Sequence, residues 1–182
     1  MTEPPAGLTY RAEFVSTEEE AELLRFMDDV DFRELEMRGQ VARRTVRHYG
    51  LNYEYETGDV TQGDPLPDPL VPLRARCAEL ARVEPDELAQ ILVTRYPAGA
   101  PIGWHRDAPM FGLVVGVSLG SASRMRFQRG KGAERVTWEL ELAPRSAYVL
   151  AGQARWTWQH SVPPVKELRY SVTFRTLRAR KG

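Results

Sequence analysis

The segment LRYSVTFRTL, from Leu168 to Leu177, alternates between apolar and polar residues along most of its length. In an extended strand, residues two positions apart share a face, so this segment has one apolar and one polar face. The polar face consists of Arg169, Ser171, Thr173 and Arg175. If it faces water, it is simply solvated; if it faces the interior, its guanidinium groups need an anionic partner there. The strand alone leaves both interpretations open.

Other short strand-like segments precede this one through the second half of the chain. Turn sequences such as Gly120-Ser121 and Gly130-Lys131-Gly132 separate them. Including the last strand, the candidates are residues 91–96, 113–119, 125–128, 135–142, 147–150, 156–162 and 168–177. Strands of this length and number indicate two antiparallel sheets closed into a sandwich or jelly roll.

The first half of the chain has helical signals. Ser16 and Glu19 have the spacing of a capping box, and apolar residues follow at helical intervals. A second helix is predicted to begin near Pro72. We predict an α+β, mainly β protein whose N-terminal helices pack outside one sheet. Residues 1–182 form a single domain, with helices and a candidate substrate lid in 1–90 and the jelly-roll core in 91–178.

Composition excludes several classes of protein. The 182 residues carry 25 basic and 25 acidic side chains and are 42% hydrophobic, so the chain is neither a polycation nor compositionally disordered. No apolar run approaches the roughly 18 residues that span a bilayer, and no signal peptide is visible. A single cysteine, Cys77, allows no internal disulfide. We therefore expect a soluble, monomeric protein of the cytoplasm.

The chain's three histidines include a possible metal site. His105 and Asp107 form a His-x-Asp pair, whose members lie on the same side of an extended segment, and His160 lies on a distant candidate strand. Two imidazoles and one carboxylate form the facial triad of non-haem Fe(II) oxygenases. The pair alone is a weak signal, because such pairs are also common on protein surfaces, and His160 alone is equally consistent with a core histidine.

Several motifs together resemble a known family. In chain order they are TRY (94–96), HRD (105–107), VGVSLG (115–120), His160 and RYSVTFR (169–175). Their order and spacing look like those of the AlkB family of Fe(II)- and 2-oxoglutarate-dependent dioxygenases. The resemblance implies a double-stranded β-helix that uses Fe(II), 2-oxoglutarate and O2. It also implies oxidative dealkylation, in which an alkyl group on a nucleobase nitrogen is hydroxylated and lost as formaldehyde.

The resemblance assigns roles to individual residues. It implies that His105, Asp107 and His160 bind Fe(II). It implies that Arg175 binds the far carboxylate of 2-oxoglutarate, with a hydroxyl donated by Tyr96, and that Arg169 lies nearer the iron. Two further cosubstrate positions depart from the family pattern, since Thr94 and Ser171 stand where the family often has Asn.

The substrate region is the part of the chain where the resemblance is thinnest. Arg47-His48-Tyr49-Gly50, followed by Tyr53 and Tyr55, is similar to the lid of several AlkB relatives. A flipped base needs a ring to stack on, so Tyr49 and Tyr53 are candidate substrate-binding residues, with Arg47 among nearby phosphate contacts. Alternatively, the tyrosines are strand core and the arginines are scattered on the surface.

We predict oxidative dealkylation of alkylated nucleobases in DNA or RNA. Two alternatives remain open. The same chemistry could act on a protein side chain or a small molecule, or the chain could be a non-catalytic metal-binding jelly roll.

Overall fold

The computed structural model describes residues 2–179. Its helices are α1 (Thr17–Asp28), α2 (Val71–Ala81) and the short α3 (Gly152–Trp156). The first strands in chain order are β1 (Leu8–Arg11), β2 (Arg33–Met37), β3 (Gln40–Tyr49), β4 (Leu51–Tyr53) and β5 (Val60–Gln62). They are followed by β6 (Leu88–Tyr96), β7 (Ile102–His105), β8 (Phe111–Leu119), β9 (Ser123–Arg129), β10 (Val136–Leu142), β11 (Ser146–Leu150), β12 (Gln159–Val162) and β13 (Arg169–Leu177).

Two antiparallel sheets make up the body of the fold. The major sheet has seven strands in the order β1-β11-β8-β13-β6-β3-β2, and the minor sheet has four in the order β10-β9-β12-β7. A separate hairpin, β4-β5, follows β3. The crossovers between the sheets are those of a jelly roll, so the predicted fold class is confirmed.

Helices α1 and α2 cover the outer face of the major sheet. The predicted capping box is present, with the amide of Glu19 donating to Ser16 Oγ over 3.1 Å. Leu23 of α1 and Cys77 of α2 are buried with Phe174 of β13 in the largest apolar cluster. The helices therefore lie outside one sheet, as predicted. None of the helices in residues 2–179 is long and apolar enough to cross a membrane.

The inner face of the major sheet carries the polar row of β13. This strand is hydrogen-bonded to β6 on one side and to β8 on the other, so it lies in the middle of the sheet. Arg169 is 2% exposed and Ser171 7% exposed. The polar face thus looks into the space between the two sheets, which decides the question that the sequence left open.

The first half of the chain contributes more strands than predicted. Strands β1, β2 and β3 all join the major sheet, so the expectation of a helical first half is wrong. Arginines at alternate and adjacent positions of β3 conceal its apolar periodicity. In the second half, residues 152–156 form α3, so the predicted strand 156–162 begins only at Gln159. The short strand β7 was not predicted, because it has only four residues.

Candidate active site

The predicted metal triad is assembled where two strands of the minor sheet meet. His105 on β7 and His160 on β12 are directly opposite each other in the strand register. Asp107 follows β7 by two residues, and its Oδ1 lies 3.7 Å from Nε2 of His105 and 3.4 Å from Nε2 of His160. The three ligand atoms all lie within 4.8 Å of one another. Two imidazoles and one carboxylate thus converge on one point.

Hydrogen bonds orient two of these three side chains, His105 and Asp107, from behind. The Nδ1 atom of His105 lies 2.8 Å from the carbonyl of Gly103, so that nitrogen carries the proton and Nε2 is left with its lone pair. Arg175 donates from Nε to Oδ2 of Asp107 over 2.6 Å. Because Oδ2 is occupied by the guanidinium, Oδ1 is the oxygen that faces the two imidazoles.

The electrostatics of the site favour metal binding at neutral pH. Burial would raise the pKa of Asp107, but the charges of Arg175, His160 and His105 outweigh it and hold that pKa well below its usual range. Burial, together with the nearby charge of His105, lowers the pKa of His160 to about 3. Burial also lowers the pKa of His105. The site therefore offers one carboxylate and two neutral imidazoles, the protonation states that a metal requires.

The other polar residues of β13 and their partners on β6 lie on the same inner face, away from the triad. Thr94 is opposite Ser171 in the strand register, and Tyr96 is opposite Arg169. Arg169 donates from Nε to Ser118 Oγ over 2.9 Å, and its guanidinium lies 5.0 Å from the centre of the Tyr96 ring. All four predicted cosubstrate residues on this part of the two strands line the same cavity as the triad.

The two arginines of β13 stand in the opposite order to the one predicted. Arg175 was expected at the far end of the cosubstrate, but it is hydrogen-bonded to Asp107 of the triad. Arg169 was expected nearer the iron, but it lies beside Tyr96, six residues away along the strand. The spacing in the sequence shows that the two arginines share a face of the strand. It does not show which end of the strand lies near the triad.

A polar network behind Arg175 was not predicted. Gln90 is fully buried and accepts from Nη1 of Arg175 over 2.8 Å, while its amide nitrogen lies 2.9 Å from Nδ1 of His48. Burial and the charges of Arg175 and Arg47 lower the pKa of His48 to about 4. The one signal in the sequence that pointed to this network is a Gln directly before the apolar run 91–93, where a buried amide needs a partner.

The triad and the predicted cosubstrate residues line a single cavity of about 420 Å³ between the sheets. Aromatic rings from both halves of the chain also line it, namely Tyr53, Tyr55, Trp104 and Phe111. Tyr53 and Trp104 are partly exposed, so they lie at the mouth of the cavity. The Tyr53 ring packs edge-on against Tyr55 at 5.0 Å and against Phe111 at 5.6 Å, measured between ring centres. Arg44 and Arg106 also line this cavity.

Of the three predicted substrate residues, only Tyr53 lies at the cavity. Tyr49 is 7% exposed and belongs to the apolar cluster beneath the helices, so its prediction as a base-stacking residue is wrong. Arg47 forms an ion pair with Asp64 and lies 4.8 Å from the centre of the Tyr49 ring, so it is also wrongly predicted. Both side chains lie on the face of β3 opposite to the one that carries Arg44 into the cavity.

Other residues close to the triad were not predicted from the sequence. Trp104 and Arg106 flank His105, and their position beside a predicted ligand was an available signal. Arg155 of α3 is 3% exposed and donates to the carbonyls of Ala108 and Phe111 at 2.9 and 2.7 Å. It thereby fixes the backbone that follows Asp107, a role that only the tertiary structure reveals.

Comparison with known families identifies this arrangement. The sequence model of the family described as "2OG-Fe(II) oxygenase superfamily" matches residues 7–175. The chain belongs to this superfamily. Oxygenases of this family use Fe(II), 2-oxoglutarate and O2, which confirms the predicted cofactors and the dioxygenase class. The donor set found here, two neutral imidazoles and one carboxylate with an open side toward the cavity, suits Fe(II).

Similar proteins place the chain among the AlkB-like oxygenases. It is 30% identical over 171 residues to the "tRNA (carboxymethyluridine(34)-5-O)-methyltransferase ALKBH8" of Mus musculus, a match that covers 89% of this chain and 25% of the mouse protein. It is 28% identical to the "Alkylated DNA repair protein ALKBH8 homolog" of Arabidopsis thaliana, covering 86% of this chain and 51% of that protein. The chain thus spans a quarter to a half of these relatives' lengths.

Solved structures share the fold. The structure of OsALKBH1 superimposes with a TM-score of 0.72 at 14% identity, covering 97% of this chain and 99% of that one. A prolyl-4-hydroxylase of Pseudomonas putida superimposes with a TM-score of 0.63 at 14% identity, covering 95% and 94%. At this identity the likeness concerns the fold alone.

Proposed function

We propose that this oxygenase removes alkyl groups oxidatively from nucleobases in DNA or RNA. The observation that carries the proposal is the charge of the cavity. Its lining includes the four arginines Arg44, Arg106, Arg169 and Arg175, whereas Asp107 is the one acidic residue among the described residues that line it. A cavity with this balance favours anionic ligands.

Each of the four cations has a distinct place. Arg175 is already paired with Asp107. Arg169 is buried without an acidic partner within 4 Å in residues 2–179, so we assign it to the far carboxylate of 2-oxoglutarate, with Tyr96 beside it. Arg44 and Arg106 also have no acidic partner within 4 Å in residues 2–179. We therefore assign them to phosphates of the substrate.

The aromatic rings at the cavity mouth suit a base removed from its stack. Tyr53 takes the role first predicted for Tyr49, and its contacts with Tyr55 and Phe111 hold the ring in place. Trp104, which is 37% exposed, offers a second aromatic surface in the same cavity. A flipped or single-stranded base gains stacking on such rings regardless of its identity.

The chain's residues then have defined tasks in the reaction. When bound, Fe(II) and 2-oxoglutarate supply the oxidation of a C–H bond by O2, releasing CO2 and succinate. Arg175 holds Asp107 in its ligand orientation, and the apolar wall of Phe111, Val114 and Met125 limits access of water to the reacting carbon. An N-methyl group hydroxylated there leaves as formaldehyde, and the nitrogen recovers its proton.

The names of the relatives support nucleic acid as the substrate class. The mouse relative is named for a tRNA nucleoside and the Arabidopsis relative for alkylated DNA. The methyltransferase activity in the first name belongs to a protein about four times as long as the matched region, so we do not extend it to this chain.

The proposal is tested by mass spectrometry of modified nucleic acids. Methylated single-stranded DNA and RNA oligonucleotides and tRNA are incubated with the protein, Fe(II), 2-oxoglutarate and O2, with an O2-free reaction and the Asp107→Ala variant as controls. We expect loss or hydroxylation of an alkyl group together with succinate. Succinate formation stimulated only by peptides or small molecules, with every nucleic acid unchanged, would instead support the alternative substrate class.

A further inference from the structure

A row of four residues crosses the major sheet from its edge to its centre. In the strand register Tyr10 of β1 is opposite Tyr148 of β11, Tyr148 is opposite Gly116 of β8, and Gly116 is opposite Thr173 of β13. Directly opposed residues of antiparallel strands point to the same face. All four positions therefore lie on the inner face, the one that carries Arg169 and Arg175.

The glycine in this row makes room for the neighbouring phenol. A Cβ atom built at Gly116 would overlap the ring and hydroxyl of Tyr148. The Tyr148 side chain therefore lies across β8, over the bare backbone of Gly116, and extends toward the polar row of β13. Because adjacent strands are only about 4.8 Å apart, a tyrosine that crosses one strand reaches the space above the next.

The hydroxyl of Tyr148 reaches the cosubstrate cavity. Tyr148 is 8% exposed and lines the cavity together with Tyr96 and Arg169. Tyr148 belongs to the same apolar cluster as Met125 and Leu142 of the minor sheet, and this packing restricts its ring. Burial raises its pKa to about 12, so the hydroxyl keeps its proton and remains a hydrogen-bond donor.

The Tyr148 hydroxyl has no hydrogen-bond partner among the described residues 2–179. The polar contacts of the inner face pair Arg169 with Ser118 and Arg175 with Asp107 and Gln90, and none of those found in residues 2–179 involves the Tyr148 hydroxyl. A free hydroxyl that lines the same cavity as a guanidinium lacking an anion matches a ligand carboxylate, which has lone pairs for both.

We propose that Tyr148 binds the cosubstrate by donating its hydroxyl to the 2-oxoglutarate carboxylate held by Arg169, and that Gly116 is the positioning residue that lets it reach. The inference rests on the cosubstrate site proposed above. It adds a second phenol to that site, supplied by a different strand from that of Tyr96.

Calorimetric titration of the Fe(II)-loaded protein with 2-oxoglutarate in the absence of O2 tests the hydroxyl directly. The Tyr148→Phe variant keeps the ring and its packing, so its melting temperature should match the wild type. Loss of a hydrogen bond to a charged group should raise the dissociation constant about ten- to a hundred-fold. The matched control is Tyr10→Phe on the same row, whose hydroxyl accepts from the Ala143 amide at 3.3 Å. This control should leave the constant unchanged.

The role of Gly116 is tested by a rescue experiment. Gly116→Ala should displace the Tyr148 ring, weaken 2-oxoglutarate binding and lower the melting temperature. In the double variant Gly116→Ala with Tyr148→Leu, the shorter side chain accommodates the methyl group, so the melting temperature should recover while binding stays weak. Binding that recovers together with the melting temperature would show that the pair is only structural and would overturn the proposal.

A parallel Arg169→Lys variant tests the cosubstrate site separately from the role of Tyr148. Weaker 2-oxoglutarate binding in Arg169→Lys, with an unchanged constant in Tyr148→Phe, would refute the role of Tyr148 and leave the cosubstrate site intact. Unchanged constants in both variants would refute the cosubstrate site as well.

Discussion

Two segments of this chain alternate in sequence in a similar way, but the structure places their side chains differently. Strand β13 is paired on both sides, and its polar residues Arg169, Ser171, Thr173 and Arg175 face the space between the sheets. The segment from β3 to β4 also alternates, with tyrosines at positions 49, 53 and 55. Gly50 interrupts it with a φ of 76°, and a Cβ at that position would overlap the carbonyl of Ala89. Alternation predicts a shared face only where one strand continues.

The same difference separates the residues of the site into two groups with different functions. The continuous strand and its neighbours carry Arg175, which pairs with Asp107 of the triad, and the proposed cosubstrate residues, all held in place by the sheets. The interrupted segment places Tyr49 under the helices and Tyr53 at the cavity mouth. We infer that the first region carries out metal and cosubstrate binding and the second region contacts the substrate. Variants in the two regions should therefore differ in what they impair.

The largest effect is expected from Asp107→Ala. This change removes one of three metal ligands and leaves Arg175 buried without its acid, so succinate formation from 2-oxoglutarate should be abolished. Succinate and bound iron are measured on the same sample. The matched control is Asp86→Ala, an acid whose side chain is 97% exposed and pairs with Arg74 on the surface. Undiminished succinate in Asp107→Ala would contradict the metal assignment.

A stability effect is expected next, from Tyr49→Ala. Tyr49 is packed in the apolar cluster beneath α1 and α2, so truncation should leave a cavity and lower the free energy of unfolding by about 3–5 kcal/mol. Thermal unfolding measures this as a lower melting temperature. Tyr53→Ala, at the cavity mouth, serves as the comparison and should change it much less. Equal melting temperatures for the wild type and Tyr49→Ala would place Tyr49 outside the core.

Substitutions of the two arginines of β13 should impair different binding steps. Arg175→Lys loses the geometry that holds Oδ2 of Asp107, and loss of such an orienting contact typically weakens metal binding about 10- to 100-fold. Arg169→Lys should instead raise the KM for 2-oxoglutarate about ten- to a hundred-fold, because a guanidinium pairs bidentately with a carboxylate and an ammonium does not.

Metal titrations and cosubstrate kinetics on both variants test this assignment. The reverse pattern, with Arg175→Lys affecting mainly 2-oxoglutarate, would restore the order of roles that the family resemblance implied.

The sequence predicted the parts of the site that depend on strand periodicity and on residue type. His105, Asp107 and His160 were identified because they occur in the order and spacing of the AlkB family motifs, and the polar face of β13 follows from alternation alone. The direction in which that face points was not predictable, because it depends on β13 lying between β6 and β8 rather than at an edge.

The parts that were missed depend on contacts between distant residues. Gln90 and Arg155 act through hydrogen bonds to residues 85 and 44 positions away, which no local pattern contains. The reach of Tyr148 depends on a glycine in a different strand. Tyr49 and Arg47 were misplaced because β3 carries aromatic and basic residues on both faces, so its sequence does not mark the face that meets the cavity.

The division between the two regions is tested most directly by two rates measured on Tyr53→Ala. One is dealkylation of a methylated oligonucleotide, and the other is succinate formation without nucleic acid. Loss of one stacking ring should lower the first about five- to a hundred-fold under subsaturating substrate, and Tyr53→Phe should restore it. Succinate formation without nucleic acid should be unchanged, because the triad and the cosubstrate residues are untouched. Equal losses in both rates at an unchanged melting temperature would contradict the division.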